Sequence, residues 1–299
     1  MEQDLYEKMI MYYDPEVHFA DVEDAGFIGQ GKGVYSLNSY RKVTLLVGDK
    51  KLPAFEKVFL RDSPDFKKMS WFYEEIYPQI GSHLDIPEII LIKGKRLAVV
   101  YFVWFEDLSV PGKDCIIDVY KKVSGILDKV EVSNDMAKQK VISDFSVSSF
   151  FHPKYKRAQT WLSVHMGPDN TQHLELICKS VSENSSVKWG FVHGDLNATN
   201  LTNTGLIDFD YCGFHPKMFE YASFIRFHFR LKNRTDFYEV CRSMDLPLQN
   251  RDEMLALLFF YFVLSFSKGG KASNDFLKTI WSELEGHAKR MGILRDGVS

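Results

Sequence analysis

Residues 191–210 read FVHGDLNATNLTNTGLIDFD. Short apolar runs at 191–192 and 206–207 flank a polar loop, and the second run leads directly into two carboxylates. This pattern predicts strand, loop, connector and strand, with carboxylates at the end of the last strand. Asp195, Asn200 and Asp208 then converge at the lip of one hairpin, with His193 and Asp210 beside them.

Three oxygen-bearing side chains in that order suit phosphoryl transfer. Its transition state is loose and highly charged, so a protein mainly positions groups and supplies magnesium. Magnesium takes hard oxygen ligands, one or two from the protein and the rest from phosphate and water. Asn200 and Asp208 can supply such oxygens, while Asp195 is placed to accept the proton of an acceptor hydroxyl.

Outward from this stretch the texture of the chain changes. Residues 21–108 alternate short apolar runs with turn signals, as a small sheet does. Strands are expected at 27–28, 42–47, 55–60, 87–92 and 97–105, and a helix over 65–77 that ends before Pro78. After Leu108 helical spacing dominates, with helices expected over 114–130, 135–151, 155–164, 171–181, 219–231, 251–267 and 276–291. The expected organisation is a strand-rich lobe, 1–107, and a helix-rich lobe, 108–299, that meet at Glu106, Asp107 and Leu108.

The loop resembles that of the aminoglycoside phosphotransferase and choline kinase families, which are protein-kinase-like small-molecule kinases. Their catalytic loop reads H-G-D-x-x-x-x-N, matched by His193, Gly194, Asp195 and Asn200; their magnesium motif, I-D-x-D, is matched by Ile207, Asp208 and Asp210. The resemblance implies an α+β, bilobal protein-kinase-like fold with a small antiparallel-sheet N-lobe and a larger, mostly helical C-lobe. It assigns Asp195 as catalytic base and Asn200 and Asp208 as magnesium ligands, with ATP as donor and GTP as an alternative. Glu220, four residues after Pro216, stands where the family usually has Asp, and is expected to support the loop.

The same resemblance looks for a nucleotide grip in the first lobe. No G-x-x-x-x-G-K-[ST] occurs, which excludes a Walker-type loop. Gly29, Gly31 and Gly33 lie between two expected strands and let a backbone approach phosphate. Lys57, inside the apolar run 55–60, is the expected phosphate lysine. The acid that should pair with it is displaced: Lys68 and Met69 stand at the expected place, so either the register shifts to Glu74 or Glu75, later on the same helix, or another acid such as Asp65 serves. Residues 97–105 leading into Glu106 and Leu108 resemble the strand and hinge that receive adenine.

The acceptor is read from charge. Arg226, Arg230 and Arg234 recur at i, i+4 and i+8 and share a face if one helix carries them. A basic face favours a neutral or anionic small molecule, a sugar or glycan end above all, over a polycationic aminoglycoside or choline. A pseudokinase scaffold that binds a partner without turnover is the alternative of a different class.

Bulk composition narrows the partners. A formal net charge of −3 gives no field toward nucleic acid. The 4 cysteines form no C-x-x-C pair, which argues against a zinc ribbon or disulfide framework. The most apolar run, 255–266, falls short of the roughly 20 residues a membrane span needs. The first residues lack the features of a secretory signal, so the expected location is cytoplasmic.

Overall fold

The computed structural model describes residues 3–30, 36–105, 107–133, 151–196, 199–267 and 272–294. The chain forms two compact units: Met1–Val110 with Thr202–Asp210, and Pro111–Leu201 with Tyr211–Ser299.

Alternation of apolar residues builds the first unit. Its strands are β1 (Val22–Gln30), β2 (Ser36–Val47), β3 (Lys50–Leu60), β4 (Glu88–Lys93) and β5 (Leu97–Val103), in the order β1-β2-β3-β5-β4, and every neighbouring pair is antiparallel. The run 97–103 is almost wholly apolar because both faces of β5 are covered. Leu97, Val99 and Tyr101 pack with Val58, Ala54 and Ile10, the last from helix α1 (Gln3–Tyr13). Ala98 and Val100 pack on the other side with Phe59, Phe66 and Met69.

On the α1 side Arg41 meets Glu56 in a buried two-pronged ion pair, 2.9 and 2.7 Å, and also takes Glu7 of α1 at 3.1 Å. Strand period puts Lys57 on the opposite face from Glu56, the face that carries α2.

Helix α2 (Pro64–Trp71) begins with Ser63 accepting the Phe66 N–H at 3.2 Å and with Pro64 in the first turn. It does not stop before Pro78 as expected. A π-turn, Phe72–Ile76, leads into a last helical turn, α3 (Tyr77–Ile80), in which Pro78 occupies the first turn. A proline there loses no helical hydrogen bond, so the chain keeps its course.

The second unit is helical apart from β6 (Trp189–Val192) and β7 (Gly213–Pro216), an antiparallel pair. Its helices are α4 (Ile116–Leu127), α5 (His152–His165), α6 (Asp169–Glu183), α7 (Lys217–His228), α8 (Arg234–Ser243), α9 (Arg251–Leu264) and α10 (Asn274–Arg290). The apolar run is α9, buried over Glu253 to Leu264 and packed by α5, α6, α7 and α10. Phe259 and Phe260 meet Phe151 and Phe219 in an aromatic cluster. Among the described residues no helix is long and apolar enough to cross a membrane.

One expected helix ends early. The helix expected over 219–231 is α7, which ends at His228 where the Phe229 backbone turns extended (φ −117, ψ 133); a separate helix, α8, starts after Asn233, whose side chain accepts the Asp236 N–H at 3.0 Å. Most of the expected helix 135–151 lies outside the described residues.

Candidate functional site

In the first unit the chemistry gathers around Lys57. Its Nζ is 2.7 and 2.8 Å from the two carboxylate oxygens of Asp210 and 3.5 Å from Asp208 Oδ1. The lysine side chain is 10% exposed, whereas those of Asp208 and Asp210 are 42% and 40% exposed. A nearly buried cation thus carries two carboxylates whose outer parts stay open to solvent. Partial loss of hydration, then the charge of Asp210, raises the Asp208 carboxyl above its ordinary range, and Lys57 pulls it back.

The backbone aims these groups. Asp208 has φ 64, a left-handed conformation unusual for a non-glycine residue. Phe209 stacks on Phe72 of the π-turn, with centroids 3.9 Å apart, while Lys68 Nζ donates to the Asp210 carbonyl at 3.2 Å. The helix therefore addresses this segment through an aromatic ring and a lysine. Glu74 is exposed on the π-turn and makes no ion pair among the described residues, which corrects the pairing with Lys57 expected of it. The π-turn shifts the helical register between Lys68 and Glu74, which sequence spacing alone does not reveal.

Two further residues bear on this unit. Burial, then the charge of Asp210, raises the Asp65 carboxyl. Leu108 is half-buried in an irregular segment, where Asp107 accepts the Ser109 N–H at 2.9 Å and the Ser109 carbonyl accepts the Asn203 N–H at 3.0 Å. Gly31, Gly33 and Glu106 lie outside the described residues.

In the second unit β6 delivers the loop that begins at His193. The Glu220 carboxylate accepts the backbone N–H groups of His193 and Gly194, each at 2.9 Å, and is itself buried. His193 Nδ1 accepts the Asp195 N–H at 3.3 Å. Gly194 has φ 85, and a Cβ there would stand 2.2 Å from the Tyr211 carbonyl oxygen, so the turn admits only glycine.

Asn200, which is buried, donates through Nδ2 to the Asp195 carbonyl at 2.8 Å, and its Oδ1 accepts from Thr199 Oγ1 at 3.4 Å. An amide oxygen here and the part-exposed carboxylate of Asp208 are both hard donors of the kind magnesium takes. Among the described residues no group of three or more His, Cys, Asp and Glu is arranged to hold a metal. A magnesium ion on Asn200 or Asp208 would draw its other ligands from phosphate and water.

These two constellations sit in a fold already seen elsewhere. Over 98% of this chain and 100% of the other, the structure matches ADP-bound aminoglycoside phosphotransferase APH(2'')-Ib, at 15% identity and TM-score 0.52. It also matches choline kinase from Cryptosporidium parvum Iowa II over 97% and 98% of the two chains, at 12% identity and TM-score 0.50. The chain has the fold of aminoglycoside phosphotransferases and choline kinases. No family model matches the sequence, and no curated protein does.

Within this kinase-like fold, several residues near the loop left no mark in the sequence motifs. Lys154 of α5 is buried, and loss of hydration lowers its ammonium to about 8 even though the negative charge of Asp195 works the other way. Lys217 Nζ, also buried, donates to the Phe191 carbonyl at 2.6 Å and pairs with Asp128 at 2.9 Å, so it holds β6. His228 Nε2 lies 3.1 Å from the Leu196 carbonyl. Lysines at 154 and 217 lie far from the loop in sequence, and only the fold brings them near it.

The basic stripe does not form. Arg226 lies in the last turn of α7, Arg230 follows the helix in irregular backbone, and Arg234 opens α8 and pairs with Glu283 at 3.0 Å. Glu220, Phe224 and His228 recur every four residues along α7 and form its loop-facing stripe. At 100° per residue Arg226 stands about 200° around the helix from Phe224. This corrects the shared basic face, and with it the reason for preferring a neutral or anionic acceptor.

Proposed function

We propose that this protein is a phosphotransferase that moves the γ-phosphate of ATP to a hydroxyl group of a small molecule. One observation carries the reading: a nearly buried strand lysine, Lys57, shares a cluster with Asp208 and Asp210, and Asp208 is held in a left-handed turn. A cation in contact with part-exposed carboxylates suits a site for phosphate and a divalent metal. The ADP named with one matching structure supports nucleotide use.

In this reading Lys57 leaves Asp210 for the phosphates of the nucleotide, and Asp208 and Asn200 offer oxygens to magnesium. Bound magnesium supplies charge neutralisation across the phosphate oxygens. Asp195 orients the acceptor hydroxyl and takes its proton as the bond to phosphorus forms; Glu220, through the amides of His193 and Gly194, keeps the turn before Asp195 in place.

The acceptor is a hydroxyl-bearing molecule, and sugars, amino alcohols such as choline, and aminoglycosides form the panel in which to seek it. The test is ADP release on that panel by the wild type and Asp195→Ala. Acceptor-dependent release lost in the variant supports the reading; nucleotide binding with no turnover on any acceptor supports the pseudokinase scaffold instead.

A further inference from the structure

Helix α7 touches the loop at two places. At one end of the stripe Glu220 takes the N–H groups of His193 and Gly194, just before Asp195. At the other, two turns on, His228 Nε2 lies 3.1 Å from the carbonyl of Leu196, just after it. Phe224 stands between them, its ring 4.6 Å from the imidazole and 3.8 Å from the ring of Tyr120, on which it stacks. Asp195 is therefore flanked on both sides by groups held from the same helix.

The chemistry of the His228 contact is fixed. A carbonyl oxygen only accepts, so Nε2 carries the proton. Leu196 is fully buried, so with the imidazole in place its carbonyl is turned away from water and toward this donor. Loss of hydration lowers His228 to about 4, so the ring is neutral near pH 7 and keeps Nε2–H as a donor with Nδ1 bare.

We infer that His228 is a positioning residue for the reaction, which holds the Leu196 carbonyl, one peptide beyond the Asp195–Leu196 link, while Glu220 holds the N–H groups of His193 and Gly194, one peptide before the Gly194–Asp195 link. The inference rests on the functional reading given above, in which Asp195 faces the acceptor hydroxyl. Holding the chain one peptide out on each side of Asp195 narrows the backbone rotations that carry its side chain, and orientation of such a group is where much of the rate comes from. Nucleotide binding does not depend on that restriction, so the effect belongs to turnover.

The experiment compares wild type, His228→Leu and His228→Gln. Leucine keeps apolar bulk without a donor; the glutamine amide carries a donor about as far as imidazole Nε2. The readouts are kcat and KM for ATP in ADP release, with water or an acceptor from the panel, and deuterium uptake by the loop peptide spanning 191–201. Expected are a fall of about tenfold in kcat for His228→Leu with KM for ATP within twofold, recovery to within about threefold of wild type in His228→Gln, and faster loop uptake in the leucine variant alone. Equal kcat in His228→Leu and wild type, or equal impairment of both variants, would overturn the inference. If the wild type turns over no nucleotide, the functional reading fails by itself. The clamp is then judged by deuterium uptake: faster exchange restored by glutamine supports it, and equal exchange in all three proteins overturns it.

Discussion

Lys57 is bound by both carboxylate oxygens of Asp210, at 2.7 and 2.8 Å, rather than by Glu74 of the helix. The second aspartate of the I-D-F-D run thus neutralises the strand lysine. Asp210→Asn leaves a nearly buried ammonium with a weaker partner. Because the carboxylate is 40% exposed, the expected cost is modest, about 1 kcal/mol of unfolding free energy. Saturating ATP should narrow the gap, since phosphate then takes over the lysine. Urea unfolding of both proteins, with and without nucleotide, measures this; an equal gap in both conditions contradicts the exchange of partners.

Glu220 is buried and accepts two backbone N–H groups with one carboxylate. Glu220→Ala strands both donors away from water and should cost about 2–4 kcal/mol. Glu220→Gln keeps one strong acceptor and should cost roughly half as much. Chemical denaturation ranks the three proteins, and an alanine variant as stable as wild type would show that the amides find other partners.

Gly194 combines φ 85 with a carbonyl oxygen 2.2 Å from where a Cβ would lie. Gly194→Ala should cost about 2–4 kcal/mol, because strain and displacement of Tyr211 add. A melting temperature within a degree of wild type would mean that the turn opens easily.

His228 also leaves a trace in stability against pH. Its folded value of about 4 lies below its unfolded value of 6.5, so the stabilising preference for the neutral ring is fully present above pH 6.5 and lost as pH falls toward 4. Between pH 7 and pH 4.5 the wild type should lose on the order of 2 kcal/mol more than His228→Gln, whose side chain does not titrate. Parallel denaturation at the two pH values decides it, with identical losses as the contrary result.

How far the sequence could be read follows from where each signal resides. The motif residues His193, Asp195, Asn200, Asp208 and Asp210 fall within 18 consecutive positions, and the apolar run at 191–192 marks the end of β6, but the run at 206–207 forms no strand and β6 pairs instead with β7, beyond Asp210. The five-stranded sheet was equally legible, since Leu97 to Val103 could be so apolar only if covered on both faces. The partner of Lys57 was not, because a π-turn over Phe72–Ile76 changes the helical phase without any residue that announces it.

The Arg226, Arg230 and Arg234 stripe failed for a related reason: periodicity persisted across a helix break. The break had a local signal in Asn233, three residues before Asp236, a capping pair overlooked beside the stronger charge pattern. The His228 contact has no sequence signature, because its partner is a backbone carbonyl 32 residues away and any residue at 196 offers one.

In the proposed function a nucleotide binds with magnesium at Asp208. The most direct measurement is the melting temperature with ATP or GTP, each with and without magnesium, for wild type and Asp208→Ala. A ligand that binds only the folded state must raise it. The account predicts a magnesium-dependent rise of several degrees in the wild type that Asp208→Ala abolishes. No rise with either nucleotide, or a rise of the same size in Asp208→Ala, would contradict it.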